Sequence, residues 1–80
     1  MKKICSEFKI GEVVKVIDSM SNIIDEEEPL ERRIIENKCY KIVDVTAGEL
    51  SEEILYTIQD IKTNITCAYM VDEWQIESMQ

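Results

Sequence analysis

The chain of 80 residues contains no histidine. Without an imidazole, a serine or cysteine nucleophile lacks its commonest activating base, and a zinc site lacks its commonest nitrogen ligand. Only two glycines are present, Gly11 and Gly48, which excludes a glycine-rich loop that cradles phosphate. Three cysteines, Cys5, Cys39 and Cys67, are odd in number, widely spaced and free of any Cys-x-x-Cys pairing. They are read as reduced thiols acting as small hydrophobes, with no disulfide framework and no metal site. Basic residues are scarce as well, 9 against 17 acidic ones, for a net charge of −8. A basic stripe that would neutralise phosphates is missing, so direct binding to DNA or RNA is not expected, nor is attraction to an anionic membrane. No stretch approaches the roughly 18 apolar residues of a membrane span. The opening Met1-Lys2-Lys3 starts like a signal peptide but is not followed by an apolar stretch of about 7–15 residues. A cytoplasmic location is expected.

What is present is a balanced globular composition, 45% hydrophobic and 32% charged. The length implies one domain over 1–80, with a folded part of about 8–77 and a flexible N-terminus over 1–7. Such a chain buries only about 60–65% of its unfolded surface, a thin core with little room for a walled pocket. No cofactor, metal or catalytic group is expected, and the protein is not expected to be an enzyme.

Runs of β-branched residues place the strands. Gly11 marks a turn before Val13–Asp18, where Val14 and Val16 share a face. Residues 19–33 break the pattern with Ser19, Ser21 and Asn22, then the charge run Asp25-Glu26-Glu27-Glu28-Pro29, and form a long first loop with about one helical turn near Leu30. Asn37, which tolerates a left-handed backbone, precedes a second strand over Cys39–Thr46. Further strands are expected over Ile54–Ile61, Ile65–Val71 and Gln75–Met79, with a short connection at Lys62-Thr63-Asn64 and a 3-10 turn at Asp72-Glu73-Trp74. The expected core includes Val14, Val16, Ile42, Val45, Ile58 and Ile76. The fold class is all-β, a small five-stranded, mostly antiparallel barrel.

Three segments carry a resemblance to a family. They are Phe8-Lys9-Ile10-Gly11-Glu12-Val13-Val14-Lys15-Val16, Asn37-Lys38-Cys39-Tyr40-Lys41-Ile42 and Asp72-Glu73-Trp74-Gln75-Ile76-Glu77. Together they resemble the small SH3-like barrels of phage and Gram-positive bacteria, over about residues 8–77. The chain departs from that pattern where Asn37 replaces a glycine and where the first loop is longer and more acidic. The resemblance implies a small accessory or regulatory protein without catalytic residues. It also implies that some members bind peptides through an acidic first loop and nearby aromatics.

The densest charge lies at Asp25, Glu26, Glu27, Glu28 and Glu31. It reads either as a solvated loop or as a surface that steers a basic partner. The spacing does not match a calcium loop. Tyr40 and Tyr56 are assigned to the core and Trp74 to a half-buried position, leaving Trp74, with Asp72 and Glu73, as the aromatic contact candidate. The leading expectation is a protein-interaction module, an adaptor or inhibitor with a basic protein partner. The alternatives are a DNA mimic that inhibits a nucleic-acid-binding protein or nuclease, and a small structural or oligomer-forming subunit. The chain itself is expected to be a monomer or a weak homo-oligomer.

Overall fold

A computed structural model describes residues 7–18, 29–48 and 53–79. They form five strands: β1 (Val13–Val16), β2 (Cys39–Ala47), β3 (Ile54–Asp60), β4 (Val71–Asp72) and β5 (Ile76–Ser78). Two 3-10 turns, Leu30–Arg32 and Glu73–Gln75, complete the regular structure, and no α-helix occurs among the described residues. The strands make one antiparallel sheet in the order β4-β3-β2-β1-β5. The all-β, five-stranded expectation therefore holds.

β4 and β5 are the two edges of this sheet, yet only the turn Glu73–Gln75 separates them. A flat five-stranded sheet would hold its edges about 19 Å apart. The chain from Asp72 to Ile76 spans at most about 14 Å. The sheet must therefore roll, and its concave face encloses the core. It is not closed: β4 pairs with β3 and β5 with β1, with no ladder between β4 and β5. The closed barrel expected from the sequence is replaced by a rolled, open sheet.

The core holds Phe8, Val14, Val16, Tyr40, Ile42, Tyr56, Ile58, Cys67, Val71 and Ile76. Val14 and Val16 are completely buried, as alternation along β1 requires. Ile42 and Val45 were both expected inside although they differ by an odd number of positions. A β-bulge between Ile42 and Asp44 resolves this, since one extra residue restores Val45 to the inward face opposite Tyr56. Val45 itself is only partly buried against the core. The Phe8 and Tyr56 rings meet edge to face at 5.6 Å.

The turns follow local backbone preference. Gly11 has φ 94°, a conformation that glycine adopts freely, and its N–H donates to the Ile42 carbonyl at 2.7 Å. Asn37 has φ 69°, as its side chain allows, and its N–H donates to Val16. β1 is shorter than expected, ending at Val16, because Ile17 and Asp18 turn their N–H groups to the Gln75 carbonyl.

The largest correction concerns residues 65–71. Instead of a continuous strand, a single bridge joins Thr66 to Gln59, and regular pairing returns only at Val71. Cys67 still donates its N–H to the Ile58 carbonyl of β3 at 2.9 Å, and the chain leaves the sheet after it, toward residues 32–33. Ala68 donates its N–H to the Arg32 carbonyl at 2.9 Å, and the Cys67 thiol faces the Arg33 carbonyl. Tyr40 reinforces this closure, its hydroxyl donating to Arg33 and accepting from the Ile35 N–H at 3.0 Å.

Candidate functional site

The turn between β4 and β5 begins with a capping box, in which side chain and backbone of two residues satisfy each other. Gln75 Oε1 accepts from the Asp72 N–H at 2.8 Å, and the Asp72 carboxylate receives the Gln75 N–H in return. Gln75 is only 2% exposed, and its amide Nε2 donates to the Asp18 carbonyl at 3.0 Å. Its own carbonyl accepts from Ile17 and Asp18 at 2.8 and 3.3 Å. Both polar atoms of this side chain are thus used, Oε1 to close the final turn and Nε2 to fasten the start of the first loop to it. The sequence reading missed Gln75 because a polar residue beside a tryptophan reads as surface. The Asp-x-x-Gln spacing was the available signal.

Because Gln75 takes the inward position of a three-residue turn, Trp74 is directed outward. Its side chain is 54% exposed, more open than the half-buried position expected. Asp72 is half-buried and committed to the cap, so it supports the turn instead of facing outward. Glu73 is half-buried and lies against Glu7 and the Tyr56 hydroxyl. Burial raises the Glu73 carboxyl above the ordinary carboxylate range. The neighbouring Glu7 side chain raises it further, against hydrogen bonds from the Glu7 N–H and the Tyr56 hydroxyl. Tyr56 also accepts the Phe8 N–H at 3.3 Å, so one buried hydroxyl fastens residues 7–8 to this corner. Burial raises the Tyr56 phenol.

Glu31 is exposed on the turn Leu30–Arg32, which is held by its own ties to residues 67–68. Asp25, Glu26, Glu27 and Glu28 lie outside the described residues. What the fold joins directly is the Asp72–Trp74 turn, Glu7, and the residue from which the acidic loop departs, Asp18.

A second polar group sits at the far end of β3. The Asp60 side chain is buried, forms an ion pair with Lys38, and accepts the N–H groups of Lys62 and Thr63 at 2.8 and 3.2 Å. Lys38 holds the Asp60 carboxyl below its ordinary value, and Asp60 in turn raises Lys38, whose ammonium stands 5.5 Å from the Tyr40 ring centre. Lys38, Cys39, Asp60, Ile61 and Lys62 line an open cleft of about 390 Å³. Asp60 closes the 60–64 turn with Asn64 at φ 60°, so its carboxylate has a structural task.

Cys39 and Cys67 are free thiols. Burial pushes the Cys67 thiol up to about 11, which keeps it protonated and inert. Among the described residues no group of three or more Cys, Asp or Glu side chains could hold a metal ion, and no helix is long and apolar enough to cross a membrane.

The β4–β5 turn therefore presents an exposed indole on a hydrogen-bonded platform. Comparison with protein-family models, with curated proteins and with solved structures yields no match for this chain.

Proposed function

We propose that this chain is a non-enzymatic interaction module of the SH3-like barrel type, which takes a basic protein partner at the β4–β5 turn and the adjoining acidic loop. The observation that carries this reading is the Gln75 clamp. It fixes the loop's point of departure, Asp18, against the turn that exposes Trp74. An exposed indole supplies the apolar anchor typical of binding hot spots. Asp25, Glu26, Glu27, Glu28 and Glu31 supply a field that speeds encounter with lysine- or arginine-rich surfaces. The meander order, the long first loop and the 3-10 turn before the last strand support the SH3-like assignment. A cytoplasmic setting suits the free thiols.

The reading is tested by capturing partners from cell extract with the wild-type chain, with Trp74→Ala, and with Glu26, Glu27 and Glu28 changed to lysine. A specific basic protein retained by the wild type and lost with both variants, while each variant melts normally, supports it. Equal retention by all three chains refutes it.

A further inference from the structure

The cleft at the end of β3 joins a fixed positive charge to an apolar floor. Tyr40 of β2 stands opposite Asp60, the last residue of β3, and Cys39 and Ile61 line the cleft just past this pair. Ile61 is 45% exposed and Cys39 is a half-buried free thiol, so the floor is apolar. The two cations of the lining are tethered to one buried carboxylate. Asp60 pairs with the Lys38 ammonium through one oxygen, and through the other it accepts the N–H groups of Lys62 and Thr63 at 2.8 and 3.2 Å. Three of its roughly four acceptor positions are thus occupied, which leaves little for a bound cation.

Donors, by contrast, are in surplus. The Lys38 ammonium gives Asp60 one of its three N–H groups. Among the described residues the Lys62 ammonium has no ion-pair partner. Lys38 and Lys62 against Asp60 leave the lining with one positive charge, on a chain whose net charge is −8. Farther out, Lys15 stands opposite Cys39 and is offset by Glu77, in register with it on β5. We propose that this cleft binds a small organic carboxylate, its head on the Lys38 and Lys62 ammoniums and its apolar body over Cys39 and Ile61. The volume, about 390 Å³, lies in the roughly 300–1,000 Å³ range of small-molecule sites. A monoanion matches the single positive charge, whereas a phosphate dianion exceeds it and is repelled more strongly by the acidic chain. The apolar body gains by covering the exposed part of Ile61. This goes beyond the interaction reading above: β4 and its turn join β3 at Leu55 and Tyr56, toward the opposite end of the strand, and the cleft needs no protein partner.

Amide chemical shifts of the full chain, followed by NMR at constant ionic strength, test this with hexanoate as the probe. Hexanoate should shift the Cys39, Ile61 and Lys62 amides and bind about tenfold more tightly than acetate, which has the head without the body. Hexanol, the body without the charge, should leave the same amides unmoved at equal concentration. Lys62→Gln keeps the backbone N–H that bonds Asp60, so it should melt as the wild type does while hexanoate binding weakens about tenfold. Lys62→Arg should retain binding. Hexanoate should also slow alkylation of Cys39 in the wild type, read by mass spectrometry, a measurement that needs no variant and decides the matter if Lys62→Gln fails to fold. Equal responses to hexanoate, acetate and chloride would mean an adventitious ion only and overturn the proposal. So would inorganic phosphate binding more tightly than hexanoate, hexanol moving the same amides, a folded Lys62→Gln with wild-type affinity, or Cys39 alkylated equally fast with and without hexanoate.

Discussion

The Gln75 side-chain amide donates to the carbonyl of Asp18 at 3.0 Å, across 57 positions of sequence. This one contact ties the last turn to the mouth of the first loop. Gln75→Leu keeps the volume but removes the hydrogen bonds that Gln75 makes to the Asp18 carbonyl and the Asp72 N–H. Denaturant unfolding should show a loss of about 2–4 kcal/mol. The Trp74 emission of the folded state should also change, because the indole rides on the turn that Gln75 holds. An unchanged midpoint would mean that water replaces both bonds without cost.

Two carboxyls should give pH dependences of opposite sign. Glu73 is held above its ordinary value of 4.5, first by burial and then by Glu7. Its contribution is fully present below that value and is lost as pH rises through the folded one. Glu73→Gln, neutral throughout, should therefore melt higher than the wild type near neutral pH, with the gap closing in acid. Asp60 is held below its ordinary value of 3.8, chiefly by Lys38. Its contribution is present above 3.8 and is lost as pH falls through the folded value. Lys38→Met should melt lower than the wild type near neutral pH and converge with it only in strong acid. Thermal melts of the three chains across pH check both signs.

The two described thiols should react at very different rates. Cys39 is half-buried at the strand surface, whereas Cys67 is 5% exposed with its thiol pushed up to about 11. Iodoacetamide should modify Cys39 in the native state and Cys67 only at the rate of global opening. Equal rates would mean that the segment around Cys67 opens locally.

Asn37 sits at φ 69° between Glu36 and Lys38, with its N–H bonded to Val16. Asn37→Ala should cost about 1–2 kcal/mol, the price of a left-handed backbone in an ordinary L-residue. Asn37→Gly should be close to neutral in the same urea titration. A neutral alanine variant would show that the turn relaxes.

Val16 is completely buried between Ile76 of β5 and the rest of the core. Val16→Asp should abolish the cooperative melt. An unpaired carboxylate there costs about 4 kcal/mol or more, against a total stability of about 4–12 kcal/mol for a domain of this size.

Several features could be read directly from residue order. Alternation placed Val14 and Val16 inside, the preference of asparagine for positive φ marked the turn at Asn37, and β-branched runs marked β1, β2 and β3 within one or two residues. The appearance of both Ile42 and Val45 among core candidates was a trace of the bulge, but periodicity alone does not locate an inserted residue. In the candidate site, Trp74 was legible as an isolated aromatic among acids. Its platform was not, because Gln75, Glu7 and Tyr56 acquire their roles only from neighbours far along the chain.

The division between the two levels follows from the range of the forces involved. Side-chain alternation, turn preference and net charge are properties of neighbours in sequence, so the amino-acid order by itself determined an acidic all-β chain with these turns. Residues 65–71 carry the composition of a strand, and Cys67 still donates its N–H to Ile58 of β3, but Ala68 gives its N–H to the Arg32 carbonyl and leaves the sheet there. The roll of the sheet is likewise tertiary, set by a three-residue link between opposite edges. Which residue of that link turns inward was decided by backbone groups at Asp18 and Asp72. They need hydrogen bonds, Gln75 supplies them, and Trp74 is left facing solvent.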